Sequence, residues 1–109
     1  MQRDRRIRKS QDFFRVSTDG RSWADHRLVL RAAPNESSTT RYGFVVRKSI
    51  GSAVARNRLK RRLRAIARDV PEPSGAWDIV LIVRNGARGS TSAELSRSLK
   101  SLLSRARIV

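Results

Sequence analysis

The fourteen residues from Ala55 to Arg68 carry a dense positive charge in a helical pattern. At about 100° per residue, the apolar side chains share one stripe: Leu59, Leu63, Ile66, Ala67 and Val70. The opposite side carries polar residues only: Asn57, Lys60, Arg61, Arg64 and Arg68. Because no acidic residue lies within the run, we predict a helix with one side on a core and a cationic row on the other. Such a row favours a polyanion as partner, with nucleic acid as the first candidate.

Composition agrees with a single basic domain spanning residues 1–109. The formal net charge is +16, and the pI is about 12.0. A chain of this length can bury a core without covalent staples, and the absence of cysteine excludes disulfides, thiolate nucleophiles and cysteine-ligated zinc. No apolar stretch is long enough to cross a membrane and no signal-peptide pattern is present, so we expect a cytoplasmic protein.

Around the basic helix, the pattern predicts an α+β fold, a small α/β sandwich in the order α-β-β-(β)-α-β-α with an optional third strand. A helix that Ser10 caps and Gly20 closes comes first, and alternating apolar residues indicate strands at 27–33 and 41–48. The continuous apolar run at 79–83 is typical of a strand buried on both faces. Thr91 and Glu94 have capping-box spacing before a leucine-rich helix. We expect a mixed sheet of about four strands with helices on one face and an open cleft on the other.

Residues 1–9 are predicted to form a mobile basic arm, because they combine four arginines and a lysine with one aspartate. No protein-borne catalytic or metal site is predicted. The nine acidic residues are scattered without spacing suited to acid–base work or to holding magnesium, and His26 stands alone. The glycines do not form a phosphate-binding loop.

The stretch from Arg41 to Arg64 carries a specific motif. A strand with Gly43 is followed by Lys48, Gly51, Ala53-Val54 and Arg56-Asn57-Arg58, which leads into Lys60-Arg61. This pattern, K-x-x-G-x-A-V-x-R-N-R-x-K-R, resembles the signature of the bacterial ribonuclease P protein component. The resemblance extends from about Arg8 to Arg105, since the first helix, the apolar strand and the leucine helix follow in the family's order.

The resemblance implies an RNA-binding protein that assists a catalytic RNA. In that family the RNA uses bound Mg²⁺ to remove the 5′ leader from precursor tRNA, and no cofactor is held by protein side chains. The protein would bind the catalytic RNA, 1:1, together with the leader, and it would support activity at low magnesium. The resemblance also implies a left-handed β-α-β crossover, which general rules of chain connection do not predict.

The resemblance assigns residues to two surfaces. The basic helix contacts RNA through Arg56, Asn57, Arg58, Lys60, Arg61 and Arg64, and its cationic side extends to Arg68. The leader cleft is expected to contain Phe13, Arg31, Val45, Arg47 and Lys48, with Val29 on the same sheet face. The chain departs from the family pattern where Ser17 and Arg31 replace aromatic residues, which favours phosphate contacts over stacking.

Other interpretations remain open at this point. A structural RNA-binding protein of the ribosome or of another ribonucleoprotein would share the charge and the missing catalytic site. A stand-alone nuclease would need clustered carboxylates for magnesium. Phe13 could also serve only to pack its helix on the sheet, since most aromatic residues near a core do so.

Overall fold

The computed structural model describes residues 5–109, which form three α-helices and four strands in the predicted order. The elements are α1 (Ser10–Asp19), β1 (Arg21–Ala24), β2 (Leu28–Pro34), β3 (Arg41–Val45), α2 (Ala53–Asp69), β4 (Trp77–Val83) and α3 (Ser92–Arg105). Short 3₁₀ turns lie at Lys48–Ile50 and Asn85–Ala87. The additional strand is β1, which comes before the two predicted strands instead of third. It is a largely exposed edge strand of four residues that is too short to show a clear alternation.

The sheet is mixed and has the strand order β1-β2-β4-β3. β2 is antiparallel to both β1 and β4, whereas β3 and β4 run parallel side by side. The parallel pair is joined through α2, which is the β-α-β unit expected above; the hand of this crossover stays a prediction. β4 lies inside the sheet, which explains its continuous apolar sequence.

One face of the sheet carries the main core, as predicted. Leu28, Leu30 and Ala32 of β2 lie in this core with Ile79 and Leu81 of β4. α2 and α3 cover them with a shared set of buried residues: Leu63, Ile66, Ala67, Leu95, Leu99, Leu102 and Leu103. The predicted stripe of α2 is therefore confirmed, with Leu59 partly buried at its margin.

The other face of the sheet is only partly covered, and here the structure differs from the expectation that helices pack on one face. α1 packs on this second face through Val16, which joins Ala33 and Val80 in a smaller cluster. The helix is too short to cover the sheet. The uncovered part is the open cleft that the sequence predicts.

The N-terminal segment is attached to the sheet from Arg6 onward, which differs from the predicted arm over residues 1–9. Residues 1–4 lie outside the described residues. Ile7 is 5 % exposed and packs in the smaller cluster. Its N–H donates to the carbonyl oxygen of Tyr42 at 2.9 Å, and Arg6 pairs with Tyr42 in a parallel bridge. The burial of Ile7 and the backbone contacts to Tyr42 together hold this basic segment along the outer edge of β3.

Side-chain caps fix where α2 and α3 begin. The capping box of α3 is confirmed, because Thr91 accepts from the N–H of Glu94 and Glu94 accepts from the N–H of Thr91. α2 begins at Ala53, two residues before the predicted start, because the hydroxyl of Ser52 accepts from the N–H of Ala55 at 3.1 Å. In α1 the N-cap position is Lys9 and carries no side-chain cap, so Ser10 does not have the predicted capping role.

A buried carboxylate links α1 to the strands of the sheet. Asp78, near the start of β4, is fully buried. Arg41 of β3 donates to its two oxygens at 2.8 and 2.7 Å, and Asn35 donates at 2.9 Å. Arg15 of α1 forms a further ion pair with the same carboxylate. Arg41 also lies 3.6 Å from Asp12 of α1, so Asp78 holds α1, β3 and β4 in one arrangement.

The network decides the charge state of Asp78. Burial by itself raises the pKa of this carboxyl group, but the hydrogen bonds from Arg41, Asn35 and Arg15 outweigh it. The pKa of Asp78 in the folded protein therefore lies below its ordinary value of 3.8. Because the folded pKa is lowered, the ionised network stabilises the fold fully above the unfolded pKa. That stabilisation is lost as the pH falls through the folded pKa.

We expect Asp78→Asn to lower the free energy of unfolding by about 3 kcal/mol at neutral pH, because it leaves two arginines without their buried partner. The variant should also lose the part of the acid-induced fall in stability below about pH 4 that protonation of Asp78 causes. Denaturant unfolding at several pH values measures both effects. Asp69→Asn is the matched control, since Asp69 is exposed at the end of α2. Equal losses in the two variants would contradict the role of the network.

Candidate nucleic-acid interface

The outer side of α2 is a cationic surface without ion pairs. Among residues 5–109, the ion pairs involve Arg5, Arg15, Arg27 and Arg41, none of which belongs to α2. We define the α2 surface by the residues that the sequence singles out: Arg56, Asn57, Arg58, Lys60, Arg61, Arg64 and Arg68. The structure brings all seven together on one helix, with the apolar stripe turned to the core.

The residues of the α2 surface differ in exposure. Asn57, Arg58, Arg61 and Arg68 are exposed, whereas the remaining three are half-buried. The first turn of α2 adds its own positive end near Arg56 and Arg58, because its first N–H groups lack partners within the helix. Flexible exposed cations and a fixed helix terminus together suit a phosphate backbone more than a single small ligand.

Arg64 lies in a cluster of like charges. Its pKa is lowered from the usual arginine value, first by burial and then by repulsion from Arg6 and Arg61. Within the described residues, the buried Nε atoms of Arg64 and Arg6 have no hydrogen-bond partner. A phosphate bound here would relieve the repulsion and supply an acceptor. Sequence reasoning missed Arg6, because the contact joins residues far apart in the chain and no local pattern indicates it.

Arg62 has a structural role at the margin of this surface. Its Nη1 donates to the carbonyl oxygen of Ser90 at 3.1 Å, which links α2 to the loop before α3. Beside this contact lies a shallow groove of about 420 Å³ whose apolar floor includes Ile50 and Leu59. Arg58 and Arg88 flank it, so the cationic character of the α2 surface continues onto this loop.

The open face of the sheet forms the second candidate surface, a cavity of about 370 Å³ that we call the cleft. It is lined by α1 and by the exposed sheet face: Phe13, Phe14, Ser17, Arg31, Val45, Arg47, Val80 and Ile82. Four of the five predicted cleft residues lie here. Lys48 does not, because β3 ends at Val45 and the chain turns away into the 3₁₀ turn that begins at Lys48.

The cleft continues along the sheet into a second depression of the same volume. The two cavities share Arg31, Arg47 and Ile82, and the second adds Val29 and Arg84. No acidic residue lines either cavity. Nη1 of Arg31 donates to the carbonyl oxygen of Ser17 at 3.2 Å, which holds this guanidinium beside the end of α1. The cleft is therefore a trough with an apolar floor and cationic walls.

Phe13 and Phe14 occupy different environments at the edge of the cleft. A Cβ atom built at Gly43 would lie 2.5 and 2.6 Å from two ring carbons of Phe13, so the ring rests directly on this glycine. Phe13 also packs against the cluster of Ile7 and Val16. Phe14, by contrast, is 69 % exposed. Sequence reasoning missed Phe14 as a cleft residue, although its position next to Phe13 on α1 was a usable signal.

Residues 5–109 contain no helix that is long and apolar enough to cross a membrane. The same residues contain no group of three or more histidine, aspartate or glutamate side chains placed to hold a metal ion.

Comparisons with known proteins point to one family. The Ribonuclease P family profile matches residues 1–107. The ribonuclease P protein component of Herpetosiphon aurantiacus is 41 % identical over 109 residues, covering 99 % of this chain and 89 % of the relative. The corresponding protein of Roseiflexus castenholzii is 40 % identical over 111 residues, covering 100 % and 91 %.

Solved structures show the same fold. A mutant RNase P protein of Staphylococcus aureus superposes with a TM-score of 0.89 at 32 % identity, covering 97 % of this chain and 91 % of that one. The RNase P protein of Thermotoga maritima gives 0.80 at 30 % identity, covering 92 % and 96 %. With the family profile, the close relatives and the shared architecture in agreement, this chain belongs to the ribonuclease P protein component family.

Proposed function

We propose that this protein is the RNA-binding subunit of a ribonuclease P that removes the 5′ leader from precursor tRNA together with a catalytic RNA. The observation that carries the proposal is the presence of two cationic surfaces separated by the sheet. The α2 surface lies on the helix-covered side, and the cleft lies on the opposite face. Two such surfaces allow one small protein to bind two RNA elements at once, the catalytic RNA and its substrate.

The α2 surface is the proposed binding site for the catalytic RNA. Phosphate contacts from arginine and lysine position a protein on folded RNA and supply much of its affinity. The absence of ion pairs on α2 within the described residues means that RNA binding need not break existing ones. The repulsion between Arg6, Arg61 and Arg64 is also relieved by an anion, so binding stabilises the folded protein.

The cleft is the proposed site for the leader, which is single-stranded. Proteins bind single strands through a positive groove combined with apolar and aromatic side chains, and this binding has little sequence specificity. The cleft has this composition, with Arg31 and Arg47 beside Phe13, Phe14 and Val45. Lys48 lies outside it, so the phosphate contacts on this face fall to the two arginines and to Arg84.

We place catalysis and the Mg²⁺ ions in the RNA subunit. Four of the nine acidic side chains are engaged in the protein's own fold, since they take part in ion pairs: Asp12, Glu72, Asp78 and Glu94. The net charge of +16 offsets the repulsion between RNA phosphates. Without the protein, magnesium at a high concentration has to offset this repulsion. A complex of one protein with one RNA fits the single α2 surface.

Reconstitution tests the proposal directly. The protein with its cognate catalytic RNA should cleave precursor tRNA at low magnesium, where the RNA alone is slow and the protein alone is inert. The measurement is leader release over a magnesium titration. Cleavage by RNA-free protein would contradict the assignment of catalysis. Co-purification with ribosomal RNA, combined with no effect on leader release, would favour the alternative of a structural ribosomal protein.

The α2 surface can be tested by its dependence on salt. Arg61→Ala should weaken binding to the catalytic RNA and flatten the log–log slope of affinity against salt by about 0.7–0.9, because it removes one phosphate contact. Arg61 is exposed and its charge repels Arg64, so the melting temperature should not fall. Leu63→Ala, two residues on, should instead lower stability by about 2–5 kcal/mol through a cavity in the core.

Arg97→Ala is the matched control for this test, since it removes the same charge from the exposed side of α3. We expect a small effect on affinity and no change in slope. An equal change in slope for Arg61→Ala and Arg97→Ala would show that net charge, rather than the α2 surface, accounts for binding.

A further inference from the structure

We propose that Phe14 is the stacking platform of the cleft, on which an unpaired base of the leader RNA lies. This inference rests on the proposed function and names a residue that neither the motif nor the resemblance assigns. The sequence pointed to Phe13 for this role. The structure separates the two neighbouring rings: both line the cleft, but Phe13 is half-buried against the sheet whereas Phe14 is exposed.

The exposure of Phe14 is unusual for the described residues. Only three large apolar side chains are exposed there, namely Phe14 at 69 %, Val54 at 62 % and Val109 at 41 %. Of these, only Phe14 is aromatic and lines the cleft. An aromatic ring left in water keeps a large apolar area that a bound base can bury.

Phe13 is less available for stacking, because its ring is in contact with the protein. It rests on Gly43 of β3, where even a methyl group would collide with it, and it packs against Ile7. The role of Phe13 is then to seat α1 on the sheet, with one edge on the cleft. This arrangement places Phe14, the next residue, at the edge of the cleft.

The surroundings of Phe14 suit a nucleotide. Ser17 follows three residues later, lies on the same side of α1 and lines the same cavity with a small side chain. Arg31 is held at this end of α1 by its hydrogen bond to the carbonyl of Ser17, and Arg47 lines the same cavity. A base on Phe14 would thus have cations near its phosphates. The cationic walls favour RNA over an apolar or basic protein segment as the occupant.

The choice of a single-stranded leader follows from the stacking geometry. A base reaches the ring only if its face is free, and bases in a duplex are already stacked on their neighbours. Stacking on an aromatic side chain accepts any base, because every base has a π-face. Phe14 therefore adds affinity for unpaired leader without a strong sequence preference.

The test compares variants of Phe14 in the reconstituted holoenzyme. Phe14→Ala should weaken binding of precursor tRNA by about 5- to 150-fold, as the loss of one base–aromatic stack predicts. Binding of mature tRNA should not change. Phe14→Tyr and Phe14→Trp should restore the affinity, whereas Phe14→Leu, which keeps an apolar side chain without a π-face, should not. The melting temperature should stay constant in all four, since the ring is exposed.

A scan of abasic nucleotides through the leader completes the test. One abasic position should weaken binding to the wild-type holoenzyme by the same factor as Phe14→Ala, and it should have no further effect in that variant. Full affinity of Phe14→Leu, equal losses on precursor and mature tRNA, or coupling of the abasic position to Phe13→Leu instead would overturn the proposal. Retention of leader preference in Phe14→Ala would refute the platform but leave the proposed function intact. A wild-type holoenzyme without leader preference would refute both.

Discussion

The chain contains twenty-five lysines and arginines but only nine acidic residues. The ion pairs and hydrogen bonds of those few acidic residues determine the rest of the structure. Asp78 joins α1, β3 and β4 from a fully buried position, and Glu94 pairs with Arg27 while it caps α3. Acidic residues that are paired within the fold do not neutralise the outer side of α2 or the open face of the sheet. The two surfaces without acids are those that we assign to RNA.

β4 separates these two surfaces physically. Its residues alternate between the main core under α2 and α3 and the second face, where Val80 and Ile82 form the floor of the cleft. Gly43 on the neighbouring strand lets the Phe13 ring lie directly against this face. A sheet with one fully covered face and one partly covered face can hold two RNA elements apart while it keeps them in a fixed relation.

Local patterns predicted much of this architecture. The stripe of α2, the capping box of α3 and the buried run of β4 depend on residues close in sequence, and all three are confirmed. Long-range contacts were beyond such reasoning. The burial of Ile7, the partners of Asp78 and the seat of Phe13 on Gly43 join residues that are distant in the chain. Lys48 was predicted to lie in the cleft but lies outside it for the same reason. The end of β3 depends on how the chain turns toward the cap of α2.

Site-directed crosslinking tests the central claim that opposite sides of the protein bind different RNAs. Because the chain has no cysteine, Ser17→Cys in the cleft and Asn57→Cys on the α2 surface each introduce a single thiol for a photoreactive group. In the assembled complex with precursor tRNA, we expect residue 17 to crosslink to the 5′ leader and residue 57 to crosslink to the catalytic RNA. Crosslinks from both positions to the same RNA element, or the reverse assignment, would contradict the account.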